Sequence, residues 1–359
     1  MNKFSNFLAF LLLSTAAIAD TTSARQELKE AYNAYKTAMA SNQRADAKAA
    51  AARAYEAGKT VLPGDSKQLA ALALNYGRLH TGSEAEDILT HALEIMERAY
   101  GNEALELVDP LMALAKEKAS LGRLSRSTRL YQRAMEIVTR HEGEDSFLMG
   151  MVHLQMGEIA VADAASGTAD HYLEKAISIF ETIDGDTPRF QAALAKFWIA
   201  KVRLAEDKPK AAIDLFLQAL NSFDRIQPNS QIVLTTHAFL IEAYERRGMR
   251  NEATEHCLAI GQATPVKPDQ DYMPVYKAMP TYPSNALRAG ITGHALLSVT
   301  VDKDGFARNP IVLEVEGSDS FAEAALKTIE RFRYAPRFVD GAPVETDDVT
   351  YKFTFDITH

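Results

Sequence analysis

The feature that most constrains this chain is a period. Ala92, Ala134, Ala176, Ala219 and then the larger Ile260 follow one another at spacings of 42, 42, 43 and 41 residues. Three positions before each stands a larger apolar or soft side chain: Leu89, Tyr131, Leu173, Phe216 and Cys257. A second set of pairs keeps the same step: Leu72-Ala73, Leu114-Ala115, Met156-Gly157, Ile199-Ala200 and Leu240-Ile241. Gly122 and Gly248 occupy equivalent positions, as do Tyr76 and Tyr244. A fixed period of this length is the mark of a stacked array. Each unit reads as two helices. Small residues let the two backbones approach where they cross, and larger ones fill the contact with the next unit. A degenerate helix pair is expected before the first full unit, around Glu27–Val61, where alanines such as Ala49 to Ala52 favour helix.

These residues resemble the tetratricopeptide repeat in its long, kinesin-light-chain-like form, most closely over Ala92-Leu93-Glu94-Ile95 to Tyr100-Gly101. The resemblance implies an all-α solenoid with a concave groove for an extended peptide or a partner helix. The alternative is an array that serves only as a spacer or dimerisation platform.

The first twenty residues differ from the rest. Lys3 gives a short positive start, Phe7 to Leu13 are apolar, and Ala17-Ile18-Ala19 fits the small-x-small rule for cleavage before Asp20. The apolar stretch is shorter than the roughly 20 residues of a spanning helix. Residues 1–19 are therefore expected to be a cleaved signal peptide, with Ala19 and Asp20 flanking the cut. The expected destination is the periplasm, with no stable membrane span after cleavage. The alternative is a retained inner-membrane anchor facing the periplasm. The net charge of -9 becomes one unit more negative when Lys3 leaves, which disfavours a sequence-independent grip on nucleic acid. The single cysteine, Cys257, excludes an internal disulfide and a thiolate metal cage.

Helical periodicity ends near Gln262. Pro265, Pro268, Pro274, Pro280 and Pro283 follow, and prolines at that density favour extended chain. Beyond them the period becomes two. Ala295, Leu297, Val299 and Val301 alternate with Leu296, Ser298 and Thr300, and Asp302-Lys303-Asp304-Gly305 forms a turn. A second strand is expected from Phe306 to Glu314, with Pro310 marking a bulge or an edge. A helix should follow over Phe321–Phe332, capped by Ser320. In a last strand Val349, Tyr351, Phe353, Phe355 and Ile357 alternate with Thr350, Lys352, Thr354 and Asp356. The expected architecture is multidomain: the repeat array over 20–262, a proline-containing linker over 263–280, and a small α+β domain with a three-stranded antiparallel sheet over 281–359.

Several motifs in this last part, taken in order, resemble the TonB carboxy-terminal domain. They are Tyr282-Pro283; Ala286, Gly290 and Gly293; Val299-x-Val301-Asp302-x-Asp304-Gly305; Phe321 with Ala324-Ala325; Phe332-Arg333-Tyr334-x-Pro336; and Gly341-x-Pro343-Val344. At Phe332 many members carry tryptophan. The resemblance implies that a short TonB-box-like segment of an outer-membrane receptor, or of another envelope protein, adds as a strand to the edge of the last strand. The implied contact residues are Val349, Thr350, Tyr351, Lys352, Phe353 and Thr354, with Tyr282 and Pro283 adjoining. For the aromatic side chains core packing is the simpler role, and the backbone edge would do the binding. Tyr282-Pro283 equally suits the start of a short helix over Ser284–Ala289. The family's long Pro-Lys and Pro-Glu spacer is absent here, and a helical array stands in its place.

No catalytic constellation emerges. Asp302-x-Asp304-Gly305 opens like a calcium loop, but Leu313 stands where the bidentate glutamate is required, so a hairpin turn is expected. Gly58-Lys59-Thr60 lacks the first glycine of a phosphate loop, which is Arg53 here. The histidines include no His-Glu-x-x-His pair, and there is no Gly-x-Ser-x-Gly elbow. The chain is expected to be a non-catalytic envelope adaptor that needs no cofactor or metal. The alternatives are an energy transducer of TonB-dependent uptake with a retained anchor, and an envelope enzyme built from dispersed residues.

Overall fold

The computed structural model describes residues 5–263 and 272–357, with side chains from residue 21 onward. The expected signal segment begins outside the described residues, and its cleavage positions Ala19 and Asp20 have no described side chains. Among the described residues no helix is long and apolar enough to cross a membrane. The chain divides into two compact units, Met1–Thr182 and Ile183–His359, so the boundary falls inside the repeat region.

The first unit is a run of helix pairs: α1 (Ser5–Ala40) with α2 (Arg44–Val61), α3 (Lys67–Gly77) with α4 (Gly82–Tyr100), α5 (Val108–Ser120) with α6 (Leu124–His141), and α7 (Phe147–Ala162) with α8 (Ser166–Phe180). The second unit continues with α9 (Asp186–Ala205) and α10 (Pro209–Ile226), then α11 (Gln231–Arg246) and α12 (Arg250–Ala263). The helix-face pairs that set the period are buried, from Leu89 and Ala92 to Cys257 and Ile260, while Tyr76 is half-buried and the turn glycines Gly122 and Gly248 are exposed. In the pair α7–α8 the crossing position is Gly157, where a Cβ would lie 2.5 Å from Cγ and Cδ2 of Leu173. Five of the six turns inside the pairs use a left-handed residue: Asn42, Gly122, Ala164, Asp207 and Gly248 all have φ between 55° and 73°. The recurrent feature is thus a backbone conformation, and glycine is only its easiest occupant. Between pairs, the buried Glu86 accepts from Lys118 Nζ at 2.6 Å and from Arg123, and these hydrogen bonds hold its carboxyl below the usual range.

The carboxy-terminal part of the second unit contains α13 (Ser284–Arg288), β1 (Gly293–Val301), β2 (Ala307–Glu316), α14 (Ser320–Ile329), β3 (Arg337–Val339), β4 (Ala342–Val344) and β5 (Thr346–Phe355). The main sheet is antiparallel, with order β2-β1-β5. Ala295, Leu297, Val299 and Val301 face Phe321, Ala325 and Ile329 of α14, with Phe332, Val349, Phe353 and Phe355 completing the core. Each large side chain buried there contributes roughly 1.5–3 kcal/mol. Ser320 does not cap its helix: it is the first helical residue, its hydroxyl pairs with that of Ser318, and no side chain caps this end. The β3–β4 hairpin is an addition to the expected three strands. Its turn is Asp340-Gly341, both at positive φ, the conformation of a type I′ turn.

Tyr272–Ala278 is part of this fold. Val275 and Tyr276 donate backbone N–H bonds to Arg333 O, and Arg333 returns one to Tyr276 O. Tyr272 donates its hydroxyl to Ala335 O, and Ala278 lies in the core.

Candidate functional site

The two edges of the main sheet differ in regularity. β2 is interrupted twice. Its pairing with β1 passes over Leu313 and then over Asn309-Pro310, where Asn309 has φ 49°. Bulges and proline on an edge strand blunt its capacity to pair further. β5 pairs with β1 without interruption from Val349 to Phe355, and its irregularity is confined to the start, at Asp348 (φ 57°). Among the described residues β5 has no partner on its other side. It therefore offers a seven-residue stretch of regular edge.

Burial along β5 alternates as its sequence alternates. Val349, Phe353 and Phe355 are buried and Tyr351 half-buried, while Thr350, Lys352 and Thr354 are exposed. Tyr351 packs edge-on to Phe332 at 4.9 Å, and Lys277 Nζ sits 5.3 Å from its ring centre. An open groove of about 670 Å³ follows the first part of the strand, from Thr346 to Lys352. Tyr272, Met273 and Arg337 form its other wall. Val349, Thr350, Tyr351 and Lys352 are thus gathered at one groove. Phe353 lies in the core, and Thr354 lies beyond the groove's lining. Tyr282 is elsewhere: it packs edge-on against Phe321 and Phe355, each at 5.7 Å, at the end of β5 remote from the groove. Its hydroxyl donates to Ile291 O at 2.6 Å, and Pro283 precedes α13. Sequence patterning did not point to the wall residues Tyr272 and Met273, because they belong to the proline-containing segment.

Asp302 shows what the calcium-like motif does. Its Oδ1 accepts from the backbone N–H of Asp304 and Phe306, and its Oδ2 takes Arg308 Nε at 2.8 Å. Both carboxylate oxygens serve the β1–β2 turn. Gly305 is required there, because a Cβ would lie 2.1 Å from Tyr334 O.

Arg333 joins this sheet to the last helix pair. It is fully buried. Its Nη1 donates to Glu245 Oε1 of α11 at 2.6 Å and to Arg250 O at 3.2 Å. Its Nη2 donates to Thr254 Oγ1 at 2.6 Å and to Asp304 O at 3.0 Å, and its guanidinium carbon lies 3.8 Å from the Phe306 ring centre. Burial pushes the nearby Cys257 thiol up to about 12, so that cysteine is a packing residue.

In the first unit a second groove, of about 740 Å³, runs along the first helices of successive pairs. Arg78, Met112, Lys116 and Gln155 are among its lining residues.

Known proteins resemble both parts of the chain. Residues 278–357 match the family model for the Gram-negative bacterial TonB protein C-terminal. Protein TonB of Vibrio cholerae serotype O1 is 26% identical over 80 residues, which are 22% of this chain and 33% of that protein. The chain thus spans about a third of the length of the curated relative it matches. The solution structure of the Pseudomonas aeruginosa TonB CTD is 29% identical, covering 26% of this chain and 92% of that one, with a TM-score of 0.23. A putative kinesin light chain of Podosopora anserina with TPR-like repeats is 17% identical, covering 54% and 92%, with a TM-score of 0.43. The chain therefore joins a helical repeat array to a TonB-type carboxy-terminal domain.

Proposed function

We propose that this protein is a periplasmic adaptor of a TonB-related envelope system. Its carboxy-terminal domain captures an extended segment, of the kind outer-membrane receptors present, by strand addition to β5. The observation that carries this reading is the uninterrupted, unpaired edge from Val349 to Phe355 beside an open groove, set against the bulged and proline-containing edge of β2. Unpaired backbone groups would supply affinity, and the groove walls would select side chains. The helical array would hold a second partner, a peptide or helix, along its inner helices. No catalytic role is part of this proposal.

Calorimetry of the full chain with a panel of TonB-box peptides tests the docking, combined with hydrogen exchange of the complex. The expected result is binding, with new protection confined to amides between Val349 and Phe355. No binding across the panel, or protection on β2 in place of β5, would overturn it.

A further inference from the structure

The face of the main sheet that turns away from α14 is solvent-facing, yet His294 at the start of β1 is 9% exposed. Glu316 is its direct partner on β2, and Glu314 is the direct partner of Leu296. Residues two apart share a face, so both carboxylates reach the same imidazole, one straight across and one diagonally. His294 Nε2 lies 3.2 Å from Glu314 Oε1, and Nδ1 lies 3.2 Å from Glu316 Oε2. Among the described residues this is the group of His, Cys, Asp and Glu side chains whose ligand atoms converge, all within 4.8 Å of one another.

A neutral imidazole cannot satisfy both neighbours. It has one N–H and one lone pair, and the lone pair would face a carboxylate. Two glutamates two positions apart on one face of β2 also repel each other. The arrangement needs positive charge between its members. A single proton on the ring leaves one negative charge uncompensated, whereas a dication balances both carboxylates and leaves the imidazole neutral. The N···O separation of 3.2 Å is close to the ligand–ligand edge of a tetrahedron with bonds of about 2.0 Å. One nitrogen and two carboxylate oxygens suit a borderline cation; calcium and magnesium favour six or more oxygens. The two carboxylates lie at opposite ring nitrogens, Glu314 at Nε2 and Glu316 at Nδ1; both are exposed, and binding at one nitrogen would require one of them to change rotamer.

We infer that His294, Glu314 and Glu316 form a surface site for a divalent cation of the Zn²⁺ class. The remaining position would be open to water or to a donor from another molecule. This site lies on β1 and β2 and is independent of strand addition to β5.

The test is calorimetric titration of the chelator-treated full chain with Zn²⁺, repeated with Co²⁺ and followed by its visible absorption. The expected result is one saturable site whose affinity falls at least about tenfold in Glu314→Gln and in Glu316→Gln and is lost in His294→Ala, with the circular dichroism of each variant unchanged. The glutamine variants keep the histidine and nearly the same shape, so a fall in affinity in them cannot come from misfolding. Absence of binding in the parent chain would overturn the inference. Equal Zn²⁺ uptake by the parent and His294→Ala would place the metal on other histidines and would overturn it as well.

Discussion

Arg333 makes a prediction whose size follows from its surroundings. Replacing it with methionine keeps most of its apolar stem but removes four hydrogen bonds, to Glu245, Arg250 O, Thr254 and Asp304 O. The Glu245 carboxylate, 7% exposed, would retain, among the described residues, Arg250 Nε at 3.6 Å. Removing one partner of a buried ion pair costs about 3–5 kcal/mol, because the other charge stays buried without compensation. Removing both is far milder, so Arg333→Met with Glu245→Leu should recover much of the loss. Hydrogen exchange resolves the effect locally, which matters in a chain of two compact units. At about 1.4 kcal/mol per factor of ten, protection in α12 and in the turn Asp302–Phe306 should fall about a hundredfold or more in Arg333→Met. The double variant should show a coupling energy of about 2 kcal/mol or more. A coupling below about 0.5 kcal/mol, the additivity limit for independent sites, would refute the claim that this pair fixes the sheet to the last repeat.

Three further outcomes are expected. Ala164→Gly should stabilise the first unit by about 0.5–1 kcal/mol in thermal unfolding, since Ala164 is held at φ 56° and glycine enters that region without a Cβ penalty. Gly157→Ala should destabilise the same unit by about 1–2 kcal/mol despite the better helix propensity of alanine, because its Cβ would overlap Leu173; a higher melting temperature would contradict the crossing geometry. Burial, then Lys175 and His171, lowers the pKa of His153 to about 4; burial, then His237, lowers that of His256 to about 4. Both folded values lie below the unfolded value of about 6.5, so the stability they contribute is complete above it and declines as pH falls toward 4. Each should cost about 2 kcal/mol by pH 5, and substituting His256 with glutamine should flatten that part of the pH–stability curve in the second unit.

The sequence displayed the fold unevenly. Positions that repeat every 41–43 residues were visible because each array unit solves the same packing problem, and Ala92, Ala134, Ala176 and Ala219 are all fully buried. The alternation along β1 and β5 was equally visible, since one face of each meets α14 or the core around Phe332. The unpaired edge could be placed on β5 in outline, but the groove beside it could not. Tyr272 and Met273 form a wall because the Arg333–Tyr276 backbone pairing and the bond from the Tyr272 hydroxyl to Ala335 O hold an otherwise unpatterned segment against the domain. The hairpin at Asp340-Gly341 had the right two-residue turn but strands of three residues, too short for alternation to show. The partnership of Arg333 with Glu245 spans 88 positions, and no local pattern encodes it. His294 is similar: the two glutamates that reach it come from the neighbouring strand, about 20 positions away.

The alternation at Phe332-Arg333-Tyr334 explains how one short stretch serves two neighbours. Phe332 and Tyr334 point into the core formed by α14 and the main sheet. Arg333 lies between them, and extended backbone sends it the opposite way, toward α11 and α12. The same three residues therefore close the carboxy-terminal core and fasten it to the last repeat. The backbone of Arg333 also pairs with Tyr276, so the segment that walls the β5 groove is fastened at the same point. Loosening Arg333 should thus alter the groove as well as the joint. The two effects can be separated: Glu245→Leu alone removes the charge partner on α11 and leaves the Arg333–Tyr276 backbone bonds in place. If peptide capture at β5 depends on the wall and not on the joint, Glu245→Leu should weaken capture less than Tyr272→Ala does, although it destabilises the second unit more.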